Sequence, residues 1–434
     1  MSSSESDPSE PLDVSSRSVV VAVVASTFFV GFGGGVIFPI LPNLGEVLGI
    51  SAFMVGVILA ANRWTRLVAN APAGVLVDRI GTRKPFIAGL AIEGVATFGY
   101  VVALLASHPS MWFLPDAPEA WFVLARVLWG IGSALVFATA YTITADVSDS
   151  GSRGTSMGIV RAGITFGFPA GLVLGGLVSE TYGNAEAFVL AAAFAGLASI
   201  IAYFVVPETH VEGSDSSVKP WDLELTLPAL TVGLVNFGLY FAYIGVLFST
   251  LVLYLQAEAL TISTTMFGYG IEYGEQGTSG VLMAVSVLAG AIFTISGGVL
   301  SDSVGARMPV LVLFLVTACV GFGVLTLAPS FWYVVLACAL IGAGQGGIGG
   351  PLTALLADLT VEERMGRAMG TNNVLGDVGG GLGPLVALPF AEVVGFQAMY
   401  ALSAIIPLLA GVILVAGVYS HTGSLSPTVE ESAI

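Results

Sequence analysis

The sequence predicts an all-α membrane protein: twelve transmembrane helices in two pseudo-symmetric six-helix bundles. Three observations carry that expectation: a composition too apolar for water, twelve apolar runs of spanning length, and a motif that recurs between the two halves. Of 434 residues, 56% are hydrophobic and 10% charged, where a soluble domain carries about 25% charged residues. A spanning helix needs about 20 apolar residues, and the 56 glycines suit membrane helices that pack through small side chains.

Taken in order, residues 1–17 are acidic and polar and read as a disordered cytoplasmic tail. They lack the basic n-region of a cleaved signal peptide, so the run after Arg17 reads as a retained first helix. Hydropathy and Gly/Pro punctuation place six spans at 18–43, 52–76, 84–106, 119–145, 156–179 and 185–206. These form an N-terminal bundle over 18–206. The Ser/Asp/Glu-rich segment 207–224 reads as a cytoplasmic linker. Six further spans at 225–255, 277–300, 307–328, 331–356, 367–391 and 396–419 form a C-terminal bundle over 225–419, and 420–434 is a cytoplasmic tail. With the N-terminus cytoplasmic, Arg17, Arg79, Arg83, Lys84, Arg153, Lys219, Arg307, Arg364 and Arg367 all fall on the cytoplasmic side and no Lys or Arg falls in an external loop. Nine to none is the bias that the positive-inside rule expects. It places a multi-pass protein in the cell membrane with both termini inside.

The halves repeat. GVLVDRIGTR at 74–83 recurs as GVLSDSVGAR at 298–307, and Asp146, Gly154, Met157 and Gly158 recur as Asp358, Gly366, Met369 and Gly370. The two offsets, 224 and 212, differ by the 12 residues that the external loop around 108–120 adds to the first half. Glycines Gly81 and Gly305 suit the tight turn of a two-residue loop, and Gly74 and Gly298 suit close helix approach. This G-x-x-x-D-x-x-G-x-R element, repeated after the second and eighth spans, resembles the signature loop of the major facilitator superfamily, and with twelve spans and a central linker the resemblance covers about residues 18–419. The resemblance implies parallel six-helix halves around a midplane cavity and alternating access by rocking of those halves. It further implies a gating cluster: Asp78 at the N-terminus of the eleventh helix near Arg367, Arg83 with Asp146, and the mirrored set Asp302, Arg307 and Asp358.

Other motifs point to the cavity. Arg126 opens R-V-L-W-G-I-G in the fourth span, similar to an arginine-glycine element of proton-coupled members of the superfamily. A charge at mid-helix costs about 2.5–3.5 kcal/mol even on the lenient insertion scale, so it should face the interior. The fifth span, with Gly167, Pro169 and Gly171, resembles the glycine-proline element of the antiporters, except that Phe168 separates Gly167 from Pro169. Gly383 and Pro384 repeat the pattern in the eleventh span; both sets read as helix-flexing elements or as packing glycines. Arg63 and Arg66 share one face of the second span, and the nearer of them, Arg66, is roughly 18 Å from Asp78 at 1.5 Å per residue. Glu93 and Asp377 are the matching buried acids, and Asp377 first, Glu93 second, are the candidates to carry a coupling proton. Asn236 and Gln345 are candidate cavity donors.

Several chemistries are excluded. The two lysines, Lys84 and Lys219, do not follow glycines, so there is no G-x-x-x-x-G-K-[ST] phosphate loop. Cys319, Cys338 and the scattered His108, His210 and His421 offer no metal-ligand spacing. The chain is expected to use no cofactor and no metal, and not to be an enzyme: Gly277-Thr278-Ser279-Gly280 has no intramembrane histidine to activate its serine. The net charge of −16 argues against nucleic acid as a partner and resembles the acidity of proteins from salt-loving organisms. The expected function is a monomeric secondary transporter, exporting small lipophilic or amphipathic compounds by proton coupling. The alternatives are an importer or facilitator of a small anionic metabolite, motivated by Arg63, Arg66 and Arg126, and a sensor built on a transporter scaffold.

Overall fold

The computed structural model describes residues 16–106, 108, 115–148, 153–209, 223–266, 269–327 and 330–425. The acidic tail up to residue 15, residues 109–114 of the loop 108–120, most of the linker 207–224, the tail beyond 425 and the side chain of Arg153 lie outside the described residues. Among those described, twelve helices are long and apolar enough to cross a membrane. They are α1 (Ser16–Leu48), α2 (Ala52–Ile80), α3 (Arg83–Ala106), α4 (Pro118–Val147), α5 (Arg153–Thr181) and α6 (Asn184–Val205). The second six are α7 (Leu227–Ala257), α8 (Glu275–Val304), α9 (Arg307–Val324), α10 (Phe331–Asp358), α11 (Glu362–Val394) and α12 (Phe396–Thr422). Large apolar side chains remain exposed on their outer faces, Ile295 at 73% and Val412 at 65% among them. Such an apolar outer surface on helices of spanning length suits the hydrocarbon of a bilayer.

The same packing pattern occurs in both halves. In the first, α1 packs on α5 and α6, α4 packs on α2 and α3, and α3 packs on α6; in the second, α7 packs on α11 and α12, α10 on α8 and α9, and α9 on α12. This is the parallel repeat that the offset motifs announced, realised as equivalent helix neighbours. The structure adds two features to the expected spans. Residues Phe241–Leu247 of α7 are π-helical and almost wholly buried, a local widening of the kind found at functional sites in helices. The segment read as an external loop after α7 contains a hairpin of β1 (Ile262–Met266) and β2 (Tyr269–Tyr273), antiparallel with Ile262 opposite Tyr273.

Two ends can then be distinguished. The hairpin end carries β1–β2 and the α5–α6 turn. The termini end carries the start of α1, the end of α12 and the tight turns at Gly81 and Gly305, whose φ values of +88° and +69° favour glycine. At the hairpin end the halves are in contact: Phe38 of α1 lies edge-on to Phe248 of α7 at 5.6 Å, and Phe168 of α5 stacks on the same ring at 6.0 Å.

Candidate functional site

Two antiparallel seams join the halves, α2 against α11 and α5 against α8. Along the first, Gly56 meets the backbone of Pro384 and Leu385, so that a Cβ there would stand 2.8 Å from each. Two turns on, the indole of Trp64 lies against Gly381. One further step brings charge together. Asp377 Oδ1 accepts from Arg63 Nη1 at 3.1 Å and from Arg66 Nη2 at 2.6 Å. These ion pairs cross between halves, and the three side chains are only 14–24% exposed.

Helical spacing makes the arrangement possible. Arg63, Arg66 and Asn70 stand at i, i+3 and i+7 on α2, and Asn373, Gly376 and Asp377 at i, i+3 and i+4 on α11, so each set shares one face. Together with Asn236, Tyr240 and Phe137 they line a cavity of about 430 Å³. The Arg63 guanidinium sits 5.8 Å from the Tyr240 ring and that of Arg66 sits 5.9 Å from Phe137, contacts that hold a cation over an aromatic face. Beyond Asn70 the seam parts. No heavy atom lies within 4 Å of a Cβ built on Gly74, Gly366 or Gly370. The cavity therefore lies where the halves diverge, towards the termini end, with the ion cluster as its most enclosed part. Two guanidiniums against one carboxylate leave it with one net positive charge.

The other sequence candidates lie elsewhere. Arg126 is 2% exposed and faces the interior of the first half, but not the cavity. Its Nε donates to the Ile58 carbonyl and Nη2 to the Leu59 carbonyl, both at 3.2 Å; Nη2 also bonds the Asn62 amide oxygen, and Nη1 reaches the Tyr100 hydroxyl at 3.4 Å. Carbonyl dipoles and the Trp129 face, 5.7 Å away, stand in for a carboxylate. This side chain clamps α4 to α2 and α3. Glu93 is 1% exposed, packs against Gly132 of α4, and neither carboxylate oxygen has a hydrogen-bond partner. It does not meet Arg63 or Arg66. The sequence placed these acids and arginines in one polar inventory because it gives depth along a helix without the azimuth that separates α3 from the cavity. Gln345 Oε1 is likewise buried without a partner, whereas the Asn236 amide donates to the Asn372 carbonyl at 3.0 Å. Asn62, Asn70 and Asn373 were missed. The last two were legible, each one turn from a charged residue on the same face.

A family model described as Major Facilitator Superfamily matches residues 23–271 and 259–432. The chain belongs to the major facilitator superfamily. Among curated relatives of this superfamily, an uncharacterised MFS-type transporter of Methanocaldococcus jannaschii is 25% identical over 91% of this chain and 96% of its own length. Multidrug resistance protein 2 of Bacillus subtilis is 23% identical over 86% and 88%, and the quinolone resistance protein NorA of Staphylococcus aureus is 23% identical over 83% and 86%. Among solved structures, the nucleoside transporter NupG superposes with a TM-score of 0.75 at 13% identity, covering 92% of this chain and 99% of that one. A bacterial homologue of the lysosomal transporter Spinster, inward-facing and unoccupied, gives 0.66 at 15% identity over 96% and 97%. The chain is thus a transporter and not an enzyme, a multi-pass membrane protein whose cargo is a small molecule.

The superfamily's signature loops are formed differently in the two halves. In the second, Arg307 Nε bonds Asp358 at 3.1 Å, and its Nη1 bonds Ser301 at 3.1 Å and the carboxylate of Asp302. In the first, Arg83 does not pair with Asp146. It donates to the Tyr203 carbonyl at 2.7 Å and lies over the Tyr203 ring, while Asp78 and Asp146 are exposed. Arg367 lies 3.6 Å from Glu224. Nothing lies within 4 Å of a Cβ built on Gly74 or Gly298, although the Gly298 Cα stands 3.8 Å from a Cβ built on Gly350 of α10. The glycine-proline elements, in contrast, are packed. A Cβ on Gly167 or Gly171 would stand 2.1 Å from the carbonyl of Phe28 or Phe32 on α1, and one on Gly383 would stand 2.3 Å from Gly245 Cα in the π-helical turn of α7. Both α5 and α11 stay helical through Pro169 and Pro384. These residues set how closely two pairs of helices approach.

Proposed function

We propose that this transporter works by alternating access and exports small amphipathic compounds in exchange for protons, with Asp377 taking the coupling proton. The observation that carries the reading is the cluster itself. Asp377 belongs to one half, both its cationic partners belong to the other, and among the described residues it is the one carboxylate lining the cavity. A proton on Asp377 removes the charge that attracts both guanidiniums and loosens the seam at its charged centre. The relatives named for multidrug and quinolone resistance support export. The bias of Lys and Arg towards the termini end supports a cytoplasmic location for that end, and a cavity parted towards it is where an exporter collects cargo. The protein is read as working as a monomer, each copy carrying its own cavity. Proteoliposomes loaded with a quinolone test the reading: movement should follow an imposed pH gradient and stop when a protonophore collapses it. Quinolone flux indifferent to the gradient contradicts it.

A second reading rests on the cluster's net positive charge, which suits a small organic anion imported together with a proton. The two readings differ in the sign of linkage. Under exchange, acidification weakens cargo binding; for an anion, acidification strengthens it, because neutralised Asp377 leaves Arg63 and Arg66 free to receive another carboxylate. Binding titrations at two pH values read that sign directly. Under the anion reading, Arg66→Ala should weaken an organic anion about tenfold or more, equivalent to about 1.4 kcal/mol, while a neutral compound loses less. Equal losses for both remove the anion reading.

A further inference from the structure

The hairpin-end seam between α5 and α8 holds a contact that neither the signature loops nor the cavity accounts for. The penultimate residue of α5, Glu180, directs its carboxylate across the interface onto the first turn of α8. Its Oε2 accepts from the Gly277 backbone N–H at 2.9 Å. The N-cap of α8 is Gly274, which has no side chain with which to cap its own helix. A Cβ on Gly274 would stand 1.7 Å from Glu180 Oε1, so the missing side chain is what leaves room for the carboxylate. Beside it, Ser179 Oγ donates to Gln276 Oε1 at 2.5 Å, and Gly176 packs against the Gln276 carbonyl.

We propose that Glu180 is the latch of the hairpin-end gate: a carboxylate from one half that supplies the N-cap of a helix in the other. The first N–H groups of a helix lack intrahelical acceptors and form the positive end of its dipole. Elsewhere an Asp, Ser or Thr of the same chain segment meets that need; here the acceptor belongs to the opposite bundle. The contact exists only while this end is closed, so it stabilises the closed state and contributes nothing to the open one. Such a differential contact shifts a two-state equilibrium. Glu275, in the same first turn of α8, also lies at the positive end of the dipole, but it belongs to α8 itself and moves with it. Across the closed interface its charge repels that of Glu180, so it does not hold this end shut. Asp78 occupies the topologically inverse place at the termini end, two residues before the end of α2, whose seam partner α11 begins at that end.

The proposal rests on the alternating-access reading, and one experiment separates the two. In the full-length protein reconstituted in nanodiscs, spin labels at Val47 and Val393, both exposed on opposite halves at this end, report its opening. Glu180→Gln removes the charge; Gly274→Ala evicts the carboxylate without altering it. Each should raise the ratio of open to closed molecules at this end by about tenfold, whereas Glu275→Gln should not raise it. A wild-type protein that opens this end, with both variants matching it, overturns the latch alone. An equal shift in Glu275→Gln overturns it too, since charge anywhere at this end would then suffice. If the end opens in none of them, the latch and alternating access both fall.

Discussion

Asp377→Asn will abolish movement driven by a proton gradient while sparing exchange of cargo for cargo. The amide keeps the shape and can still accept a hydrogen bond, but it can take no proton and carries no charge. The seam loses both of its inter-half ion pairs at the cavity. Breaking a buried pair by removing one partner costs about 3–5 kcal/mol when the other charge stays buried. Here the guanidiniums border a cavity and the cost is correspondingly smaller, so the variant should fold. The measurement is solute accumulation in proteoliposomes with and without a pH gradient. Gradient-driven accumulation at the wild-type level in Asp377→Asn removes this residue from coupling and makes its pairs purely structural.

The second large effect is on folding. Gly171→Ala should destabilise the first half by about 3 kcal/mol or more, towards the severe end of overpacking, because the added methyl meets the Phe32 carbonyl on α1 and not a side chain that can rotate away. Gly167→Ala meets the Phe28 carbonyl and should do the same. The control is Gly196→Ala, where nothing lies within 4 Å of the new Cβ and helix propensity gains up to about 1 kcal/mol. Thermal unfolding in detergent, followed by the monodisperse fraction, ranks the three. Equal stability of Gly171→Ala and Gly196→Ala would show that α5 does move away from α1, restoring the flexing role first read from its Gly and Pro residues.

How much of this was legible follows from what a one-dimensional pattern encodes. Spans, their repeat and the positive-residue bias are properties of composition along the chain, and they led directly to two equivalent bundles. The meeting of Arg63 and Arg66 with Asp377 was partly legible, since isolated charges in apolar runs must find partners. Which partner was not. Glu93 is as apolar in its neighbours as Asp377, and only the packing of α3 on α4 turns it away from the cavity. Arg126 misled for a related reason: a mid-helix cation was expected at the cavity, and backbone carbonyls inside the first half satisfied it. Arg83 does not form the expected pair with Asp146, because the Tyr203 carbonyl of α6 accepts from it. Glu180 carried no sequence signal, because its partner is a backbone N–H, which any residue but proline supplies.

The central claim is that the two ends of one interface open in turn. Paired distance measurements in a single lipid preparation test it most directly, with spin labels at Val47 and Val393 for the hairpin end and at Val75 and Val361, both exposed, for the termini end. On adding cargo or changing pH, one distance should lengthen as the other shortens, by comparable fractions of molecules. Both distances lengthening together, or one changing while the other stays fixed, would contradict the account.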